Sequence, residues 1–225
     1  VILIHDAGNI GDCIEECVRT ATRMAAEDPR VFVPQQFENE ANPMVHRHHT
    51  GLEILEQVAG TIHGFCSGIG TGGTITGIGE TLKALNPDIT IWAVEPENAA
   101  ILAGGTVGTH IQMGIGDGVV PKVLNQHIYE DIAIISDEEA LRTSRDLARL
   151  EGLMCGISSG TNVAAAIKMA KKLGKGKTVV TILPDTAERY FSTPLFESNL
   201  HASMPAWLVA RGNKRAKLSF ILFSS

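Results

Sequence analysis

The segment SGIGTGGTITGIG at residues 67–79 holds six glycines and three threonines in thirteen positions. An apolar stretch, TIHGFC, leads into it, and a helix-compatible one, TLKALN, follows. Strand, glycine loop and helix in that order form an anion cradle. Glycines let backbone N–H groups approach a ligand closely, and the start of a helix adds its positive end. Two anions are compatible with the spacing. Gly68, Gly70 and Gly73 match G-x-G-x-x-G, the dinucleotide pattern, and Glu95 stands at the end of the next strand, about where a ribose-binding acid belongs. Alone that pattern is weak, and a Glu before Pro at a strand end is common as plain structure. Read from Gly70, the loop is G-T-G-G-T. Thr71 and Thr74 then add hydroxyls to the amides of Gly72 and Gly73, which makes a compact cup for one phosphate monoester.

Such a loop works only if a strand and a helix hold it. Short β-branched runs predict buried strands: VILI at the start, VFVP near 31, IHGFC near 62, ITIWAVEP near 89 and KTVVTILP near 177. Helix-length stretches lie between them. From Asp12 to Glu27, Ile14, Cys17, Val18, Ala21 and Ala25 fall on one face, with Asp12 as N-cap. From Asp137 to Leu150 the same periodicity recurs, with Ser136 as cap, and from Ser159 to Leu173 an alanine-rich run ends in lysines. Apolar strands alternating with helices predict an α/β fold, a parallel sheet with helices on both faces. Ligands of such sheets collect at the carboxyl ends of the strands, where the glycine loop stands.

Composition narrows the function. A net charge of −6 argues against general nucleic-acid binding, and no apolar run approaches the roughly 20 residues of a membrane span. Cys13, Cys17, Cys66 and Cys155 show no C-x-x-C spacing and are expected to be buried, reduced thiols in a cytoplasmic protein, with Cys13 and Cys17 packing in the core. The HRHH run at 46–49 lacks a nearby acid or Cys cluster and reads as a solvated helix turn, so no metal site is expected. After Glu197 come Arg211, Lys214, Arg215 and Lys217 with no acid, and the closing LSFILFSS has no evident partner.

Three further segments join the glycine loop. LMCGISSGTNVAAAI sets Gly156 to Gly160 before the alanine-rich helix, QQFENEANPMVHRHHTGLEI sets Gln36 and Phe37 at a strand end, and ILPDTAERYFSTPLF follows later. Together they resemble the cysteine synthase family, the O-acetylserine sulfhydrylases among the fold type II pyridoxal-phosphate enzymes, from about residue 1 to 197 and in family order. The resemblance implies that Gly70, Thr71, Gly72, Gly73 and Thr74 hold the 5′-phosphate of pyridoxal phosphate. It implies that Ser158 meets the pyridine nitrogen, that Gln36 lies near the substrate carboxylate and that Gly114, in GIGDG at 114–118, lines the cofactor's edge. A serine at that nitrogen is neutral and does not hold a proton on the ring, which favours β-elimination and replacement over transamination. The implied reaction replaces the acetate of O-acetylserine by sulfide to give L-cysteine. Implied partners are a second copy in a homodimer and the C-terminal tail of serine acetyltransferase.

Some family features are absent. The lysine that forms a Schiff base with the cofactor and the Ser/Thr-Gly-Asn substrate loop lie upstream of VILIHDAG in the family, so no catalytic residue is expected in this chain. The chain begins with Val rather than Met. The expected organisation is a remnant of the N-terminal mobile domain at 1–30, a cofactor-binding domain at 31–197 and a non-family tail at 198–225, inactive alone. Lys83 and Lys122 read as solvated surface residues. Ala187 replaces the usual glycine of GERY, Leu52 a common proline, and HIQMGIG rearranges the usual HKIQGIG. Cystathionine β-synthase, serine or threonine dehydratase and a non-catalytic partner-binding fragment stay open as alternatives.

Overall fold

Phe65 and Cys66 are adjacent in sequence and both fully buried, yet they belong to different cores. Successive side chains of a strand point to opposite faces, so a strand covered on both sides is apolar throughout. The computed structural model describes residues 1–5, 10–196 and 217–222. Its helices are α1 (Ile10–Glu27), α2 (Ala41–Val45), α3 (Gly51–Gln57), α4 (Gly73–Leu85), α5 (Asp137–Asp146) and α6 (Ile157–Leu173). Its strands are β1 (Gly64–Gly68), β2 (Thr90–Pro96), β3 (Asp131–Ile135), β4 (Thr178–Leu183) and β5 (Lys217–Leu222), in the order β3-β2-β1-β4-β5 and all parallel. Phe65 stands opposite Ile91 and Val180, and Cys66 opposite Trp92 and Thr181.

The Phe65 side of the sheet packs against α3 and α4 through Ile54, Ile75, Ile78 and Leu82. The Cys66 side packs against α5 and α6 through Ala140, Ala164, Ala165 and Met169. Burying one such Ile or Phe contributes about 1.5–3 kcal/mol, and the small alanines let α6 lie close to the sheet. Ser136 caps α5 as expected, its hydroxyl accepting from the Glu139 N–H at 3.2 Å. Among the described residues no helix is long and apolar enough to cross a membrane.

Several expectations need correction. VILI and VFVP are not strands: residues 1–5 and 31–34 join no sheet, and Ile2, Leu3 and Phe32 are exposed. A β-branched run becomes a strand only when another backbone pairs with it. DIAII, unanticipated, is β3. It lies at the sheet edge with Asp131 and Ile134 exposed, which hides its apolar signal. The apolar face of α1 is not buried: Gly11 alone on that helix is, and Cys17 is exposed. Cys13 is half-buried, its thiol 3.9 Å from the Ile4 carbonyl oxygen. Only Cys66 and Cys155 are core thiols. In the tail, Lys217–Leu222 does find a partner, pairing with β4 from Thr178 opposite Lys217 to Leu183 opposite Leu222. Residues 197–216 and 223–225 lie outside the described residues.

Candidate functional site

The chain leaves β1 at Gly68 and re-enters regular structure at Gly73, so residues 69–72 form the turn at the carboxyl end of the central strand. Gly72 holds the N-cap position of α4 at φ +78°, a left-handed conformation suited to glycine, and no side chain caps the helix. The first N–H groups of a helix have no intrahelical acceptor. In α4 the Gly73 N–H donates to Thr71 Oγ1 at 3.3 Å, and the N–H groups after it stay available to an anion. Gly70 admits no side chain, because a Cβ there would collide with the Gly114 carbonyl oxygen. Gly116 N–H donates to the Ile69 carbonyl at 2.8 Å, and Gly114 turns at φ +85°. The GIGDG turn thus lies against the glycine loop.

Gln36 comes to the same place through Asn42. The Asn42 amide Nδ2 donates to the Gln36 carbonyl at 2.8 Å and to Thr71 Oγ1 at 2.9 Å. Pro43 occupies the first turn of α2, where its missing N–H costs nothing. After α2 the chain widens for one turn, with the Gly51 N–H reaching back to the His46 carbonyl, and α3 continues. That segment presents His46 to the loop: Nε2 is 3.3 Å from Thr74 Oγ1 and Nδ1 is 3.0 Å from Thr50 Oγ1. Burial pushes the His46 pKa below the ordinary histidine value. HRHH is therefore not a uniformly solvated turn, and among the described residues no three His, Cys, Asp or Glu side chains gather as a metal site. Arg47 instead pairs with Glu80.

Ser158 is 4% exposed and sits in the first turn of α6, whose N-cap is Gly156 with no side-chain cap. Neither Ser158 nor Ser159 caps the helix. One turn on, Asn162 accepts from the Gly68 N–H at 2.7 Å and donates to the Ile182 carbonyl at 2.9 Å, joining α6 to the ends of β1 and β4. Thr161 donates to Gln112, which is wholly buried and donates in turn to Asp137 at 2.8 Å. These bonds bring Ser158, the Gly114 turn and the Gly70–Thr74 loop to one end of the sheet. Oδ1 of Asp185, buried without a hydrogen-bond partner among the described residues, borders Gly156 at the same helix start.

Two acids separate the anion readings. Glu95 is 2% exposed, and its carboxylate accepts from the N–H groups of Leu102 at 2.9 Å and Ala103 at 3.1 Å. It is committed to folding the next loop and is not a ribose ligand. Asp117 lies near the loop, its Oδ2 3.4 Å from where a Cβ on Gly70 would stand. Burial pushes its pKa up, and nearby His110 partly offsets this. Lys122 pairs with Glu38 at 2.7 Å on the surface, while half-buried Lys83 pairs with Glu130. The uncapped helix start, the Thr71 and Thr74 hydroxyls and the glycine contacts fit a single phosphate. Asn42, His46, Gln112 and Asn162 were not singled out as site residues from the sequence. Each acts across long sequence separations, and no local spacing marks it.

Known proteins resemble this chain over most of its length. Residues 1–185 match the family described as pyridoxal-phosphate dependent enzyme. Over 171 residues the chain is 51% identical to a cysteine synthase of Staphylococcus aureus, covering 76% of this chain and 55% of that protein. The crystal structure of cysteine synthase from Entamoeba histolytica superposes with a TM-score of 0.78 at 37% identity, covering 83% of this chain and 55% of that one. An O-acetylserine dependent cystathionine β-synthase from Helicobacter pylori gives the same TM-score and identity, covering 82% of this chain and 60% of that one. The chain spans about half the length of the curated relatives it matches.

Proposed function

Because the chain belongs to the pyridoxal-phosphate-dependent enzyme family, we propose that it carries the phosphate cup and ring-nitrogen contact of a cysteine synthase. In this reading Gly70, Thr71, Gly72, Gly73 and Thr74 hold the 5′-phosphate, Ser158 meets the pyridine nitrogen, and Gln36 and Gly114 line the substrate side. Residues 31–197 form the cofactor-binding domain. The observation that carries the reading is convergence: the Gly70 loop touches the Gly114 turn directly, reaches Gln36 through Asn42, and is joined through Gly68 to the helix bearing Ser158.

Pyridoxal phosphate supplies an electron sink when bound. The chain's own residues orient that sink and set its strength. The α4 amides and threonine hydroxyls give charge-assisted hydrogen bonds to the phosphate. Ser158 is a neutral partner that does not fix a proton on the ring, which favours loss of a β-substituent and its replacement. The proposed reaction exchanges the acetate of O-acetylserine for sulfide. The same reading includes a homodimeric parent, docking of the serine acetyltransferase tail in the cleft, and a cytoplasmic setting in keeping with the free cysteines.

A chimera tests this. The matched segment replaces its counterpart in the Staphylococcus aureus cysteine synthase, and cysteine formation from O-acetylserine and sulfide is measured. Turnover with sulfide supports the reading. The Helicobacter pylori neighbour motivates a second reading, in which a thiol amino acid replaces sulfide. Turnover only with such a thiol favours that one, and a folded chimera that uses neither contradicts both.

A further inference from the structure

The amide of Asn42 decides which way the Thr71 hydroxyl points. Its nitrogen faces both the Gln36 carbonyl and Thr71 Oγ1. A backbone carbonyl only accepts, so the group facing it must be the NH2 and not the amide oxygen. The second N–H of that NH2 then has Thr71 Oγ1 as its acceptor. The Gly73 N–H donates to the same oxygen at 3.3 Å. With two donors on its lone pairs, the Thr71 hydroxyl has only its proton left to offer, and it offers it from the loop that forms the cup. The approach depends on glycine, since a Cβ on Gly73 would collide with the Asn42 side chain.

The other half of the bridge reaches a strained backbone. Gln35 has φ +50°, the left-handed region that non-glycine residues rarely occupy. Its carbonyl accepts from the N–H groups of Glu38 and Asn39 at 2.9 and 2.8 Å. The Asn42 bond to the next carbonyl, that of Gln36, fixes the direction in which this turn leaves. We propose that Asn42 is a positioning residue. It holds the Thr71 hydroxyl as a donor toward the phosphate, and through the Gln36 carbonyl it ties the cup to the substrate-side glutamine. The proposal rests on the reading of Gly70–Thr74 as the phosphate cup.

The test titrates the full chain with pyridoxal phosphate and with unphosphorylated pyridoxal. The unsubstituted protein is compared with Asn42→Asp, Asn42→Ala, Thr71→Ala and the Asn42→Ala/Thr71→Ala double variant. Asn42→Asp is isosteric, but its carboxylate only accepts, so it turns the Thr71 proton away from the cup and gives up the bond to the Gln36 carbonyl. It should cut the preference for the phosphorylated ligand by about tenfold or more, as for a lost hydrogen bond to a charged group. Pyridoxal affinity should stay unchanged, which a merely structural role would not produce. The double variant should bind no worse than Thr71→Ala alone. Retention of the preference in Asn42→Asp, or equal weakening of both ligands, would overturn the proposal while leaving the cup intact. Additive losses in the double variant would also overturn it, and they decide the matter if Asn42→Asp does not fold. No phosphate preference in the unsubstituted chain would overturn the cup reading and the role of Asn42 with it.

Discussion

Nε2 of His46 lies 3.3 Å from the Thr74 hydroxyl, so one imidazole meets the first turn of α4. Nδ1 of the same ring is 3.0 Å from Thr50 Oγ1. A neutral ring serves both hydroxyls, with one nitrogen donating and the other accepting. Burial lowers its pKa, so protonation favours the unfolded chain. The contribution to stability is therefore present above the unfolded histidine value and is lost as pH falls through it toward the folded value. Urea unfolding at pH 7.5 and 5.5 should show a loss of stability on acidification that is smaller in His46→Gln. An equal loss in both proteins would contradict this account of the ring.

Asp117 titrates in the opposite sense. Its raised pKa means that the folded state binds the proton more readily, so the ionised side chain opposes folding at high pH. Asp117→Asn should stabilise the protein more at pH 8 than at a pH below the ordinary aspartate value of about 4, read by thermal unfolding at the two values. It also removes a negative charge beside Gly70, so phosphate binding should tighten. An unchanged melting temperature at pH 8 would argue against a costly carboxylate.

Gly70 has no room for a side chain. The Gly114 carbonyl in its way is backbone and cannot rotate aside. Gly70→Ala should cost about 1–3 kcal/mol, the usual price of overpacking, and should separate the two glycine turns. Differential scanning calorimetry checks this, with about 1 kcal/mol corresponding to roughly 2–4 °C for a chain of this size. A melting temperature equal to that of the unsubstituted protein would show that the turns do not depend on this contact.

The cysteines should separate by reactivity. Burial pushes the Cys66 thiol up to about 12, which leaves almost no thiolate at neutral pH, whereas Cys17 is exposed on α1. A thiol reagent at pH 8 should modify Cys17 in the native protein and reach Cys66 and Cys155 only on unfolding. Rapid native labelling of Cys66 would contradict its place in the core.

The parts of this protein that were legible in the sequence are those written in neighbouring residues. The Gly70–Thr74 loop advertises itself through glycine and hydroxyl spacing, and α6 through its alanine run. Asn42 and His46 left no such mark, because each meets its threonine across 29 and 28 residues, and a single asparagine or histidine is chemically ambiguous. Strand reading failed where pairing and not composition decides. VILI is β-branched but exposed, while the short DIAII hides at an edge. Glu95 had two meanings in the sequence, and only its bonds to Leu102 and Ala103 chose between them.

The central claim is that Gly70–Thr74 is a cup for one phosphate. Calorimetric titration of the full chain with pyridoxal phosphate, pyridoxal and a nicotinamide dinucleotide tests it most directly. The account predicts binding of pyridoxal phosphate at least about tenfold tighter than pyridoxal, the scale of one charge-assisted hydrogen bond, with no binding of the dinucleotide. Equal affinity for the two pyridoxal forms, or a preference for the dinucleotide, would contradict it.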